Sequence, residues 1–192
     1  MLLLALAPVT ARAEETPEGL VRKSVDEVLT VLREPTLQGP AHRRDRLARV
    51  RAIADRVFDW QEMARRSLGG HARLITPAQR DRYLVLFREL LADKYMDEID
   101  SFDGREQVTV KGARAVGEDR FVETFIVTAG GDRVPIEYYM QREAAGWRVF
   151  DFSIEGVSMV AHYRDTFGRF LVNATFDDLL ARLEERHAGR VD

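Results

Sequence analysis

With 192 residues, 45% of them apolar, and a net charge of −3, the chain is long enough to enclose one core and too acidic to be read as a nucleic-acid binder. It has no cysteine, which excludes disulfides, thiolate metal sites and thiol catalysis. All but three of its 29 basic residues (Lys23, Lys94 and Lys111) are arginine, which suits phosphate and carboxylate contacts, although coding composition alone gives the same bias.

Residues 1–13, "MLLLALAPVTARA", form a short apolar run ending in an Ala11-Arg12-Ala13 cleavage pattern. The run is too short to cross a bilayer and lacks a basic segment before it. It reads as a secretory signal shortened at its start, leaving residues 14–192 as one mature domain. The competing reading is a frayed helix of a cytosolic protein.

Helical spacing then places Val21, Val25, Val28, Leu29 and Leu32 on one stripe between Leu20 and Leu32. "REPTLQGP" breaks it, and a second helix over Arg43 to Val57 carries Leu47, Val50, Ile53, Ala54 and Val57. Asp59 and Glu62 have capping-box spacing for a short helix through Leu68. Thr76, Pro77 and Gln79 open a long helix whose wide apolar face runs through Tyr83, Leu84, Phe87, Leu91 and Tyr95 to Ile99.

From Gln107 the period becomes two. Strands are expected at Gln107 to Lys111, Arg120 to Thr128, Val134 to Arg142 and Gly146 to Ile154, joined by short turns into an antiparallel meander. Two helices close the chain, one from about Val157 to Leu171 and one from the Thr175 cap through Glu185. Helices (about 20–100), a four-stranded sheet (about 107–154) and closing helices (about 157–187) make an α+β protein.

No set of reactive residues emerges. Gly156-Val157-Ser158 begins like a nucleophile elbow, but Val160 stands where the second glycine is needed, so Ser158 reads as a helix cap. His42, His71, His162 and His187 are isolated in sequence, and no metal-binding motif appears. Glu137, Asp151 and Glu155 lie on or near the sheet, where solvated strand charges are the commoner explanation. Large apolar groups are plentiful instead. Phe121, Phe125, Tyr138, Tyr139, Trp147, Phe150 and Phe152 fall on the meander, and Phe58, Phe87, Tyr95, Tyr163, Phe167 and Phe170 on helices over it. They form either a simple core or the wall of a cavity between sheet and helices.

"TPAQRDRYLVLFRELLADKY" (Thr76 to Tyr95) and "IEGVSMVAHYRDTF" (Ile154 to Phe167) resemble the MlaC/toluene-tolerance family of periplasmic proteins. "FDWQEMARRSLGGH" (Phe58 to His71) and "FDDLLARL" (Phe176 to Leu183) are similar to its flanking segments in the same order. The resemblance implies a periplasmic lipid carrier, with no catalytic residue, no metal and no cofactor other than phospholipid as cargo. It implies a curved, mainly antiparallel four-stranded sheet (NTF2-like) against several helices, enclosing a deep apolar pocket. It also implies handover between an inner-membrane ABC transporter complex and an outer-membrane lipoprotein complex, by a protein expected to be a monomer that binds no nucleic acid.

Through the matched motifs and the aromatic strand positions, the expected lipid-binding residues are Phe58, Met63, Ala64, Leu68, Tyr83, Leu84, Phe87, Leu91, Tyr95, Phe125, Tyr138, Val157, Val160, Tyr163 and Phe167. Arg65, Arg66 and Arg164 are expected to hold a phosphate or a docking partner. Two acyl chains with roughly thirty methylenes hide on the order of 20 kcal/mol of transfer free energy, which a carrier must keep buried in water. The alternatives are a hopanoid carrier of the same family, a cone-shaped NTF2-like enzyme with Asp151 or Glu155 as general base, and a ligand-free adaptor.

Overall fold

A computed structural model describes residues 15–102, 105–128 and 130–191, with side chains to residue 189; the expected leader lies outside these. Among the described residues, six α-helices flank one antiparallel sheet in the order α1 (Pro17–Arg33), α2 (Arg43–Val57), α3 (Trp60–Leu68), α4 (Pro77–Asp100), β1 (Gln107–Val116), β2 (Asp119–Val127), β3 (Arg133–Glu143), β4 (Gly146–Ile154), β5 (Val157–Ser158), α5 (Met159–Phe170) and α6 (Phe176–Val191). The strands are neighbours in chain order, a meander closed by short turns. The architecture is α+β, as expected.

The helix starts follow their capping residues. Thr76 accepts from the Gln79 amide while the Gln79 side chain accepts from the Thr76 amide, a complete capping box with Pro77 at the first position. Thr175 and Asp178 exchange the same two bonds at the start of α6. Asp59 caps α3 through the Glu62 amide, but only half of the expected box forms, because the Glu62 carboxylate is taken by Arg65 and Arg66.

The sheet has five strands, not four. Glu155 (φ 52) and Gly156 (φ 79) reverse the chain tightly after β4, so Val157 and Ser158 pair back on Ile154 and Ser153 before α5 begins. Ser158 then caps α5 by accepting from the Ala161 amide at 3.0 Å. A bulge is the second departure from simple alternation. Tyr139 faces Asp151 and Met140 faces Val149, which leaves Phe150 as an extra residue. Val149 and Phe152 therefore point to the same face, and Phe150 to the other.

The inner face of the sheet carries Val122, Met140 and Val149, packed with Val21 of α1 and Val57 of α2. A second apolar cluster joins α3, α4, α5 and α6 around Met63, Phe87, Tyr163, Phe167 and Leu180. The outer face carries aromatic groups of its own. Phe121, Tyr139 and Phe150 form a row there, with the Phe121 and Tyr139 centroids 5.1 Å apart. Arg114 lies over Phe121 and Arg66 over Phe150, burying both rings under guanidinium groups.

The reversal after β4 makes a direct prediction. Gly156→Ala puts a Cβ on a residue at φ 79 and costs about 1–2 kcal/mol by denaturant unfolding. Gly168→Ala, inside α5 with open space around its Cβ position, changes stability in the opposite direction by up to about 1 kcal/mol.

Candidate functional site

Between α1, α2, α4 and the inner face of the sheet lies a cavity of about 270 Å³, near the lower limit of ordinary ligand pockets. Its wall is almost wholly apolar. Val25, Val28 and Leu29 come from α1, Ile53, Ala54 and Val57 from α2, and Leu91, Ala92, Met96 and Ile99 from α4. Strands β2, β3 and β4 supply Ile126, Ile136, Tyr138, Phe152 and Ile154. The wall's two phenols stay neutral. Burial pushes Tyr138 up to about 12, against a bond with Thr124, and burial raises Tyr95 further still.

Charged groups in the wall are few: Arg51, Asp55, Arg88, Glu89, Glu98 and Glu106. Four of them stand together where α2 passes α4. Arg51 reaches Glu89 at 2.9 Å, Arg88 reaches Asp55 at 2.6 Å, and the Trp60 indole donates to Asp55 at 2.9 Å.

Of the fifteen residues expected to bind lipid, Phe58, Leu91, Tyr95 and Tyr138 line this cavity. Met63, Ala64, Leu68, Tyr83, Phe87, Val160, Tyr163 and Phe167 are instead buried in the α3–α6 cluster, with Leu84 half-buried against it. Tyr83 is typical: its ring stacks with Phe87 at 5.6 Å and its hydroxyl meets Ser67 Oγ at 2.7 Å. Phe125 lies on the outer face, because its neighbours Thr124 and Ile126 take the inward positions of β2. Lys111 and Arg133 sit over its ring. Val157 is exposed on the two-residue edge strand.

The wall residues that motif matching missed, from Val25 to Ile154, sit on the apolar faces of α1, α2 and α4 and on the inward strand positions. Their signal was periodicity, and periodicity does not tell a wall from a core.

A second, larger groove of about 1180 Å³, lined by charged and apolar groups alike, lies among α3, the turn after it, the start of α4 and α5, and five of the expected residues (Ala64, Leu68, Tyr83, Leu84 and Val160) form part of its wall. It shares no lining residue with the cavity, and it is where Arg65, Arg66 and Arg164 are found. The Arg65 hydrogen bond, then Arg66, pulls Glu62 down to about 2 while burial opposes them. Asp151 also lines this groove. Burial raises its pKa, and bonds from the Ser158 hydroxyl, the Val160 amide and the Phe152 amide oppose that rise. So Asp151 secures the β4–α5 corner outside the apolar cavity, and Glu155 is exposed in the turn. His187 is not isolated in space. Its Nδ1 is 2.8 Å from Asp93, and Glu89 offers a third ligand atom, all within 4.8 Å of one another. These residues lie on α4 and α6, almost a hundred positions apart, so no local spacing reveals them.

The family profile described as "MlaC protein" matches residues 22–185. The chain belongs to the MlaC family. The Haemophilus influenzae intermembrane phospholipid transport system binding protein MlaC is 20% identical over 189 residues, covering 92% of this chain and 84% of that protein. The toluene tolerance protein ttg2D of Pseudomonas putida is 23% identical over 169 residues, covering 87% and 78%. A phospholipid-binding protein from Ralstonia solanacearum, solved in complex with a phospholipid, superposes with a TM-score of 0.79 at 23% identity, over 94% of this chain and all of that one. This MlaC-family chain therefore shares that protein's fold.

Two outcomes follow from the division into core and cavity. Phe87→Ala, at a fully buried position outside the cavity wall, loses about 3–5 kcal/mol by denaturant unfolding. For Glu62, whose pKa is lowered on folding, the stabilisation is present above its ordinary 4.5 and is lost as pH falls toward about 2. The stability difference between wild type and Glu62→Gln accordingly shrinks over that window in pH-dependent melting.

Proposed function

We propose that the protein is a periplasmic phospholipid carrier that passes lipid between an inner-membrane and an outer-membrane transport complex. The observation that carries this is the cavity wall, in which α1, α2, α4, Trp60 of α3 and strands β1 to β4 present aliphatic and aromatic groups to one space. A well-packed interior has few voids larger than a water molecule. An apolar cavity of this size is favourable when an apolar guest fills it. The names of the relatives, and the phospholipid bound to the structural relative, support phospholipid as that guest.

Size sets a further condition. Two acyl chains need more room than about 270 Å³, so loading parts the helices from the sheet. α1 is the element to move, because it packs mainly on α2 and on the edge strand β1. Among the described residues no helix is long and apolar enough to cross a membrane, which suits a carrier that meets membranes by docking. Neighbouring chain lengths are discriminated only a few-fold, since one buried methylene is worth about 0.8 kcal/mol. The larger groove, with Arg65, Arg66, Arg73, Arg80 and Arg164, is the surface offered to a docking complex in this reading.

The test is direct. Protein secreted into a bacterial periplasm and purified without detergent yields stoichiometric phospholipid by solvent extraction and mass spectrometry. Ala92→Trp, which fills the cavity from α4, lowers that yield severalfold while leaving a folded protein by circular dichroism. A clean extract from the wild type, repeated after incubation with both phospholipid and hopanoid, refutes the carrier reading.

A further inference from the structure

α2 and α4 run antiparallel past one another, and ion pairs lace their seam along its length. Arg43 pairs with Asp97 at 2.6 Å, Arg51 with Glu89 at 2.9 Å and Arg88 with Asp55 at 2.6 Å, so ascending positions on α2 meet descending ones on α4. The first pair lies outside the cavity wall, and the other two are part of it. Arg51 and Asp55 are one turn apart on α2, and Arg88 and Glu89 are adjacent on α4, which makes the two pairs neighbours. Arg51 and Arg88 are the only cations in the wall among the described residues. The remaining charges there, Glu98 and Glu106, are acids of the wrong sign for an anion.

Three properties make this spot a receiver for phosphate. Both guanidinium groups already hold an oxyanion, and the planar fork that fits a carboxylate also fits a phosphate. Their side chains are 41% and 37% exposed, so the existing pairs are wet and individually worth about 0–1 kcal/mol. Exchanging a carboxylate partner for a phosphate there costs little. Trp60 completes the rim, with its indole nitrogen on Asp55 and its ring 5.0 Å from Phe58, so a group held by Arg88 stands at the edge of the apolar wall.

We propose that Arg51 and Arg88 recognise the phosphate of a lipid whose chains occupy the cavity, taking it in exchange for Glu89 and Asp55. The inference rests on the acyl-chain reading of the cavity, and it adds that the α2–α4 rim selects lipids by phosphate. Because those same carboxylates hold α2 to α4, the exchange also loosens the seam beside the cavity.

The experiment compares two lipids with the same acyl chains. Delipidated protein is incubated with phosphatidylglycerol vesicles containing a minor fraction of diacylglycerol, separated by flotation, and extracted for mass spectrometry. The ratio of bound lipids is then compared with the ratio in the vesicles. A common vesicle surface removes any difference due to membrane attraction alone. The wild type enriches phosphatidylglycerol about tenfold, the discrimination expected of about 1.4 kcal/mol. Arg51→Gln/Arg88→Gln reduces the enrichment to the vesicle ratio, and Glu89→Gln/Asp55→Asn raises it by freeing both guanidinium groups. Wild-type protein that binds the two lipids in the vesicle ratio overturns the proposal while leaving the carrier reading intact, whether or not the variants fold. Protein that takes up neither lipid overturns both.

Discussion

A short parallel contact between a helix corner and the sheet organises the whole molecule. The Asp59 amide donates to the Val149 carbonyl at 2.8 Å, making a lone parallel bridge between the α2–α3 corner and β4. Arg148, one residue earlier on β4, donates to the Phe58 carbonyl at 2.6 Å from the same place. The pinned Phe58 ring stacks on Trp60 and meets Phe152 edge-on at 5.7 Å. It touches both apolar clusters and lines the cavity, so it stands as a partition. On one side α3 to α6 close on themselves as a solid core. On the other, α1, α2 and α4 cover the sheet without filling the space beneath.

That division suits a carrier physically. A lipid's chains replace water-sized voids with dispersion contacts at each wall atom, and the gain scales with buried apolar area. If the same chain had to open its main core to load, each cycle would risk unfolding. Here the solid core is built from elements that do not line the cavity, apart from α4 and the first residue of α3, and its largest side chains are fully buried. The movable part is tied by half-exposed ion pairs along α2 and α4 and by aliphatic contacts of α1. Half-exposed charges are cheap to re-pair in water, whereas stacked aromatic groups are not.

The bulge in β4 has a chemical consequence as well. By placing Phe150 outward and Phe152 inward, it gives the outer face an aromatic row roofed by Arg66 and Arg114 and keeps an aromatic wall inside. Arg66 belongs at once to that roof and to the larger groove with Glu62. The groove and the outer face of the sheet are thereby joined into one surface rich in arginine, facing away from the cavity.

Much of this protein was legible in its residues. The caps at Thr76, Ser158 and Thr175, the antiparallel meander and the α+β class follow from local chemistry and periodicity, which act over a few neighbouring residues. The quoted motifs also sufficed for the family. What they did not yield was which apolar stripe lines a void. Leu91 and Tyr95 line the cavity while Tyr83 and Phe87 of the same helix and the same apolar cluster do not, and no property of α4 by itself separates those two pairs. Phe125 and Phe152 differ in face only because of strand parity and one extra residue at Phe150. A side chain's sequence position settles how apolar it is and which face of its own element it takes. Whether that face meets a packed neighbour or an open cavity depends on elements tens of residues away, and only the tertiary structure decides it.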